Sequence, residues 1–215
     1  MKIDFTKIID LSIDLSADMV SWPGDPLFRT GQEYSIRNGD KANVLAIQSG
    51  SHSGTHIDAP YHCLSNGRTI DKINMTDLIG PCLVLQVRGL SITKKDLEGI
   101  RKGQYKRAIF KTENTKKRLL WKKKFDPDYV FLSLEAAKEC ISKGIKVIGI
   151  DYLSIEKYKS DGKVHDHLLK NGVIIIEGLD LRRVREKEYF LMAMPLKIRK
   201  GDGAPSRVVL ADIKK

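Results

Sequence analysis

Residues 49–62 read SGSHSGTHIDAPYH and hold three of the five histidines of the 215-residue chain, His52, His56 and His62. Their spacing indicates which backbone would gather these side chains. On an α-helix the first two histidines would share a face, but Asp58 and His62 would point away from it. In extended chain all four side chains lie an even number of residues apart and can project to one side. The glycine and the proline inside the segment also oppose a helix, so the stretch is predicted to be extended with local bends.

The residue types of this segment suit a divalent metal. Two imidazoles, His52 and His56, and the Asp58 carboxylate can bind Zn²⁺, Mn²⁺ or Fe²⁺ and leave positions open for water and substrate. Ser53 stands where the helical zinc-protease motif has its glutamate, so a catalytic base must come from elsewhere. His62 is the candidate general acid/base, because imidazoles titrate near neutral pH. The alternative, separate surface or core histidines, is disfavoured because burying several unpaired imidazoles costs free energy.

The other two histidines lie in residues 164–181, VHDHLLKNGVIIIEGLDL. His165 begins a predicted helix, and Glu177 ends the predicted strand that follows it. If these ends meet the first cluster, Asp58 would bridge two ions, one held by the first two histidines of the chain and one by His165 and Glu177. His167 is expected to lie outside the site, because two residues on a helix turn the side chain by about 200°. A helix-end histidine and a strand-end glutamate are common surface features, so this pairing depends on the first cluster.

Short runs rich in valine and isoleucine recur along the chain and are typical of strands. They read IIDLSIDLS, NVLAIQSG, PCLVLQV, RAIFKT, KVIGID, GVIIIEGL, YFLMAMPLKI and RVVLADI. Between them, Thr93 is predicted to cap a helix in SITKKDLEGI, and Ser133 to cap LEAAKECISKG, which ends at Gly144. The mixed order of elements predicts an α/β or α+β protein with a mixed sheet. No repeat or linker divides the chain, so residues 1–215 are expected to form one domain.

Composition places the chain among globular proteins, with 41% hydrophobic and 30% charged residues. No signal-peptide pattern and no membrane-length apolar run is present in the sequence. The three cysteines, Cys63, Cys82 and Cys140, are widely spaced and odd in number, which favours a reducing compartment over a disulfide framework. A cytoplasmic protein without membrane contact is therefore expected.

The formal charge of +11 raises the question of an anionic partner. Residues 111–124, KTENTKKRLLWKKK, hold seven basic residues and one acid around Trp121. One interpretation is a nucleic-acid surface with a stacking aromatic. The other is a solvated loop, which is favoured because no nucleic-acid-binding motif accompanies the charge.

The segment HSGTHIDAPYH resembles the His-x-Gly-Thr-His-x-Asp-x-Pro-x-His signature of the cyclase or bacterial-type kynurenine formamidase (arylformamidase) family of metal-dependent hydrolases. Every signature position is matched, by His52, Gly54, Thr55, His56, Asp58, Pro60 and His62. The similarity continues through SWPGDPLF, GIKVIGIDYLSIE, HDHLLKNGVIIIEGLDL, MAMPLKI and APSRVVL, so it spans nearly the whole chain. Two departures are Tyr152, where the family often has threonine, and the lysine-rich residues 116–124.

This resemblance implies a swivelling β/β/α architecture and a homodimer or homotetramer. It implies two divalent ions per subunit, with Zn²⁺ ahead of Mn²⁺ or Fe²⁺, and acid/base catalysis by His62. The implied ligands are His52, His56 and Asp58 for one ion, and Asp58, His165 and Glu177 for the other. Trp22 and Pro23 would line the substrate pocket.

The implied reaction is hydrolysis of a C–N amide bond in a small molecule, with N-formylkynurenine giving kynurenine and formate, a step of tryptophan catabolism. The alternatives are another cyclic or acyclic amide such as isatin, a carbamate or a lactone. A metal-stabilised nucleic-acid-binding protein is the alternative from another functional class.

Overall fold

Strands dominate the computed structural model, which describes residues 2–214. The strands of this part of the chain are β1 (Lys2–Asp10), β2 (Arg29–Tyr34), β3 (Val44–Gln48), β4 (His56–Asp58), β5 (Ile79–Gln86), β6 (Ser91–Ile92), β7 (Arg107–Lys111), β8 (Phe131–Leu132), β9 (Val147–Ile150), β10 (Ile174–Glu177), β11 (Lys187–Pro195) and β12 (Gly203–Lys214). The α-helices are α1 (Met75–Leu78), α2 (Glu113–Lys116), α3 (Leu134–Ser142) and α4 (Lys163–Lys170). No helix within residues 2–214 combines the length and apolar character needed to cross a membrane.

Eight strands form one mixed sheet in the order β1-β12-β11-β5-β7-β9-β10-β4. The four strands β5, β7, β9 and β10 are parallel, and the remaining pairings are antiparallel. Because β4 also pairs with β12, the sheet closes on itself like a barrel, with β1 attached outside this ring. The mixed α/β sheet predicted from the sequence is confirmed.

The parallel strands β9 and β10 are buried along their whole length, as expected for continuous apolar runs covered on both faces. Alternate residues belong to different cores. Val147, Ile174 and Ile176 pack in the core inside the closed sheet. Ile148 and Ile175 pack in a second core with residues of α3 and α4. This two-sided packing fixes the end of β10, where Glu177 stands.

The predicted helices are present with one change of type. The Ser133 hydroxyl accepts a hydrogen bond from Ala136 N at the start of α3, and Gly144 adopts φ of 83° just beyond its end. The predicted capping box of Thr93 and Asp96 also forms. It opens a single 3-10 turn at Lys94–Leu97 rather than an α-helix, because the glycine at position 99 disfavours continuation.

The strand predictions locate the sheet but not all of its bounds. Each of the eight apolar runs contributes a strand, although β1 begins earlier than the first run and ends at Asp10. The sequence patterns did not indicate β2, whose residues are all exposed. They also did not indicate the short pair β6 and β8. Exposed or two-residue strands lack the apolar period on which such predictions depend.

Candidate metal centre

The three residues of β4 lie between two partner strands and are all buried. In the pairing with β10, His56 lies opposite Glu177. In the pairing with β12, Asp58 lies opposite Gly203. Strand pairing therefore brings Glu177 to the first histidine cluster, which is the condition on which the prediction of a second ion depends.

The segment is predicted to be extended with local bends, and within it only β4 is a strand. Gly54 has φ of +65°, and a Cβ there would lie 2.5 Å from Leu15 Cδ2. Thr55 stabilises this turn, because its hydroxyl donates to Gly178 O at 2.6 Å and accepts from Ile13 N at 3.0 Å. The turn brings His52 back over the strand. After β4, the 3-10 turn Pro60–His62 begins at proline, a residue whose fixed φ suits a first helical position.

A first group of possible metal ligands consists of His52, His56 and Asp58, whose ligand atoms lie within 4.8 Å of one another. His52 Nδ1 is 2.8 Å and His56 Nε2 is 3.5 Å from Asp58 Oδ1. His56 Nδ1 donates to Gly54 O at 2.9 Å, so its Nε2 faces Asp58 and, at 3.4 Å, Glu177 Oε2. A histidine whose Nδ1 donates to a backbone carbonyl and whose Nε2 faces carboxylates has the usual orientation for binding a cation through Nε2.

A second group consists of Asp58, His165 and Glu177. His165 Nε2 lies 3.7 Å from Asp58 Oδ2 and 3.4 Å from Glu177 Oε1. The two oxygens of Asp58 thus face different histidines, and this carboxylate is shared by the two groups. All five residues singled out as metal ligands from the sequence meet in one place, and His167 is not among them.

The chemistry of these residues fits divalent metal ions. Asp58 is 1% and Glu177 is 3% exposed, so two carboxylates lie close together away from water. Asp58 Oδ2 is buried and has no hydrogen-bond partner among residues 2–214. A buried carboxylate oxygen without a partner costs free energy, which a bound cation would offset. Nitrogen and oxygen donors of this kind suit Zn²⁺, Mn²⁺ and Fe²⁺.

Comparison with known proteins agrees with this geometry. Residues 9–157 match the family model described as "Putative cyclase". The chain belongs to this cyclase family. The match covers the first histidine cluster, whereas His165 and Glu177 lie beyond it.

Relatives of this cyclase-family protein align over nearly its whole length. Cyclase-like protein 3 of Oryza sativa subsp. japonica is 36% identical over 95% of this chain and 79% of its own length. Kynurenine formamidase of Bacillus mycoides (strain KBAB4) is 32% identical over 95% of this chain and 97% of its own. These relatives confirm the resemblance seen in the sequence motifs.

Solved structures share the fold. A protein described as a potential metal-dependent hydrolase with cyclase activity has a TM-score of 0.81 at 33% identity, covering 97% of this chain and 99% of its own. Isatin hydrolase A from Ralstonia solanacearum has a TM-score of 0.80 at 18% identity, covering 96% of this chain and 92% of its own. The second similarity shows that the fold is the same.

Glu156 supports the second group of this cyclase-family protein, although no sequence pattern marked it. Its carboxylate accepts from His165 Nδ1 at 2.7 Å and from the backbone N–H groups of Val164 and His165 at 3.1 Å each. It therefore caps α4, whose N-cap residue Gly162 has no side chain, and orients the His165 ring with Nε2 toward Asp58. Burial alone would raise the pKa of Glu156, but these hydrogen bonds lower it to about 2.

Asp202, just before β12, is a second residue that the sequence patterns missed. Its Oδ2 lies 2.9 Å from His52 Nε2 and 3.7 Å from His62 Nδ1. The rings of His52 and His62 are 4.1 Å apart between centroids. Burial alone would lower the pKa of His52, but hydrogen bonds and attraction to Asp58 and Asp202 raise it to about 10. The same three residues, His52, His62 and Asp202, form a third group that could hold an ion.

A cavity of about 200 Å³ opens over the metal groups, and His62 and Trp22 both line it. The Trp22 ring packs edge-on against Phe125 and Tyr158, at centroid distances of 5.0 and 5.4 Å. Pro23, predicted as its neighbour in the pocket, is exposed and does not contribute to the lining, because the loop turns Pro26 toward the cavity instead.

Tyr152, where the chain departs from the family pattern, is buried among aromatic side chains rather than in the cavity. Its hydroxyl accepts from Asp126 N at 2.8 Å. Tyr152 therefore acts on the cavity only through the packing of its neighbours.

Proposed function

We propose that this cyclase-family protein is a two-metal hydrolase of a C–N amide bond, with arylformamidase activity as its leading assignment. The observation that carries the proposal is the Asp58 carboxylate, which faces histidines with both oxygens and has one oxygen buried without a partner. The similarity to kynurenine formamidase of Bacillus mycoides supports the choice of a formamide substrate.

In this proposal His52, His56 and Asp58 hold one ion, and Asp58, His165 and Glu177 hold the other. Zn²⁺ is the first candidate, with Mn²⁺ and Fe²⁺ as alternatives. When bound, two such ions would lower the pKa of a water molecule and polarise the amide carbonyl.

The chain's own residues supply proton transfer and substrate orientation. The His62 side chain is 33% exposed at the cavity, so its ring can reach both the buried cluster and a bound substrate. It would take a proton from the attacking water and return it to the leaving amine. Asp202, 3.7 Å from His62 Nδ1, would hold the imidazole in orientation. Trp22 would hold an aryl ring by edge or face contact.

We further propose a single domain over residues 1–215 with the swivelling β/β/α architecture. Pairing of the first strand with the last, β1 with β12, supports one domain. A homodimer or homotetramer is proposed because the hairpin of β2 and β3 exposes large apolar side chains, namely Tyr34, Val44, Leu45 and Ile47. A cytoplasmic location completes the proposal, in keeping with the unpaired cysteines.

The deciding experiment is hydrolysis of N-formylkynurenine by purified protein of known metal content, followed by the absorbance of kynurenine. We expect Asp58→Ala to lose both metal and activity, and His62→Ala to retain metal but lose most turnover. His167→Ala is the matched control, because this histidine lies outside the metal groups.

Two outcomes would change the assignment. Full activity of His62→Ala would refute its acid/base role. Absence of N-formylkynurenine hydrolysis, together with metal-dependent hydrolysis of isatin, a carbamate or a lactone, would move the protein to another substrate class.

A further inference from the structure

A second cavity lies away from the two groups of possible metal ligands. Part of its wall comes from residues 111–124, the lysine-rich segment. Its volume is about 670 Å³, within the range of small-molecule sites. Basic side chains dominate its charged lining, which consists of Arg88, Lys111, Lys116, Arg118, Arg182 and one acid, Glu113. We refer to this cavity as the basic pocket.

Acidic neighbours offset only part of this charge. Lys116 lies 3.2 Å from Glu113, and Arg182 lies 2.8 Å from Asp180. For the other three cations, Arg88, Lys111 and Arg118, no acid within salt-bridge distance is found among residues 2–214. A concave surface lined by one sign of charge concentrates counter-ions of the opposite sign.

The wall of the basic pocket is held in place by hydrogen bonds. Thr112 and Thr115 line the pocket, and both donate from backbone N–H and hydroxyl to the buried carboxylate of Asp151. Lys111 Nζ donates to Val184 O at 2.7 Å. Lys111 and the threonine part of the wall are therefore held in place before a ligand binds, which reduces the entropy cost of binding.

The backbone of Arg118 has an unusual conformation. It adopts φ of 53° and ψ of 43°, a left-handed conformation that a non-glycine residue seldom takes. This conformation ends α2 and places Arg118 on the pocket wall without an acidic partner in the described chain. Strained backbone of this kind is often found where a side chain is held for binding.

We propose that the basic pocket binds a compact polyphosphorylated small molecule. Arginine pairs with phosphate oxygens through two parallel N–H donors, and lysine adds a point charge. Several cations around one cavity match a ligand with two or more linked phosphates better than a single phosphate. The shared chemistry is a phosphate chain, either inorganic or attached to a nucleoside.

The geometry opposes an extended nucleic acid as the occupant. Trp121, the aromatic residue of the lysine-rich segment, has the Arg182 guanidinium carbon 3.7 Å from its ring centroid. That face of the ring is covered and is not available to stack on a base. The preceding residues Leu119 and Leu120 are buried, so they add no exposed side chain on which further bases could stack.

The test is calorimetric titration of the metal-loaded protein, freed of excess metal, in salt of about 0.15 M, where surface charges are screened beyond about 8 Å. The probes are inorganic tripolyphosphate, ATP, orthophosphate and a 20-nucleotide single-stranded DNA. We expect tripolyphosphate to bind about tenfold or more tightly than orthophosphate, because it offers several charge-assisted contacts. Equal affinity of ATP indicates recognition of the phosphate chain alone, and tighter ATP binding indicates a nucleotide site. Either result supports the proposal.

Charge-matched variants separate the pocket from the general charge of the chain. Arg88→Gln with Arg118→Gln should weaken tripolyphosphate binding by about tenfold or more, whereas Arg101→Gln with Lys102→Gln should change it by less than about twofold. The control residues Arg101 and Lys102 are exposed and do not line the basic pocket. Tripolyphosphate is also titrated into Asp58→Ala, which lacks a proposed metal ligand. Binding that persists in this variant shows that the measured heat does not come from chelation of the bound metal.

The proposal is overturned if the wild-type protein binds no tripolyphosphate at this salt, or binds it no better than orthophosphate. Equal losses in the pocket variant and the control variant would also overturn it. Tighter binding of the DNA, lost in the pocket variant, would assign the surface to nucleic acid instead.

Discussion

The Glu156 carboxylate offers a sharp test of the second group of possible metal ligands, because it accepts a hydrogen bond from Nδ1 of His165. Replacement by glutamine keeps the size of the side chain but removes its charge and one of its acceptor oxygens. The native carboxylate accepts three hydrogen bonds and is only 5% exposed. In Glu156→Gln the amide nitrogen would face N–H donors of Val164 or His165 and could not accept from them.

The magnitude follows from these contacts. Loss of a hydrogen bond to a charged group costs about 1.5–3 kcal/mol. Loss of part of the cap of α4 costs about 0.5–2 kcal/mol. For the metal, removal of an outer partner of a histidine ligand lowers affinity by about 10–100-fold. The effect should fall on the ion held by His165 and leave the ion held by His52 and His56 nearly unchanged.

The assay is titration of metal-stripped protein with Zn²⁺ in competition with a chromophoric chelator, which resolves two binding steps. Glu156→Gln should weaken one step by about 10–100-fold and spare the other. Glu135→Gln, at the exposed first turn of α3, is the matched control and should leave both steps unchanged. Two unaltered steps in Glu156→Gln, or equal weakening of both, would refute the reasoning.

Three further predictions concern the same site. In Gly203→Ala the new Cβ would lie 2.8 Å from both His52 Cε1 and Ile57 O, so urea unfolding should show a loss of about 1–3 kcal/mol with lower activity, and unchanged stability would contradict this. Asp202→Asn, assayed at saturating metal, should lower kcat for N-formylkynurenine about tenfold or more, because Asp202 lies 3.7 Å from His62 as well as 2.9 Å from His52; wild-type kcat would exclude a role of Asp202 in orienting His62. In metal-free protein, folding raises the pKa of His52 from its ordinary value of 6.5 to about 10. The protonated His52 therefore stabilises the fold fully below pH 6.5, and this stabilisation is lost as the pH rises through about 10. Calorimetry in chelator should therefore show Tm falling between these pH values, and a Tm that rises over this range would oppose the assigned ion pairs.

The sequence marks the residues of the two groups of possible metal ligands because each cluster is a local pattern. Even spacing around β4 and a helix-turn-strand unit ending at Glu177 mark the two clusters separately. The pairing of β4 with β10 brings them together, and the five residues form two groups that share Asp58. The strands β9 and β10 were predictable for a related reason, since central parallel strands read as unbroken apolar runs.

The residues that the sequence could not identify act across long separations. Asp202 reaches His52 only because β12 pairs with β4, and a three-residue strand carries too little pattern to predict that pairing. Glu156 lies in a loop, where no period relates it to His165. Loop conformation also explains why Pro26 rather than Pro23 lines the cavity. Tertiary pairing and loop geometry, rather than local pattern, decide these positions.

The central claim is that Asp58 joins two metal ions in an amide hydrolase. Its most direct test is stepwise return of Zn²⁺ or Mn²⁺ to metal-stripped protein, with N-formylkynurenine hydrolysis and bound metal measured in the same samples. We predict activity that rises with bound metal and reaches its plateau at two ions per chain in the wild type, with no recovery in Asp58→Ala. Undiminished hydrolysis by the stripped protein, or full recovery in Asp58→Ala, would contradict the account.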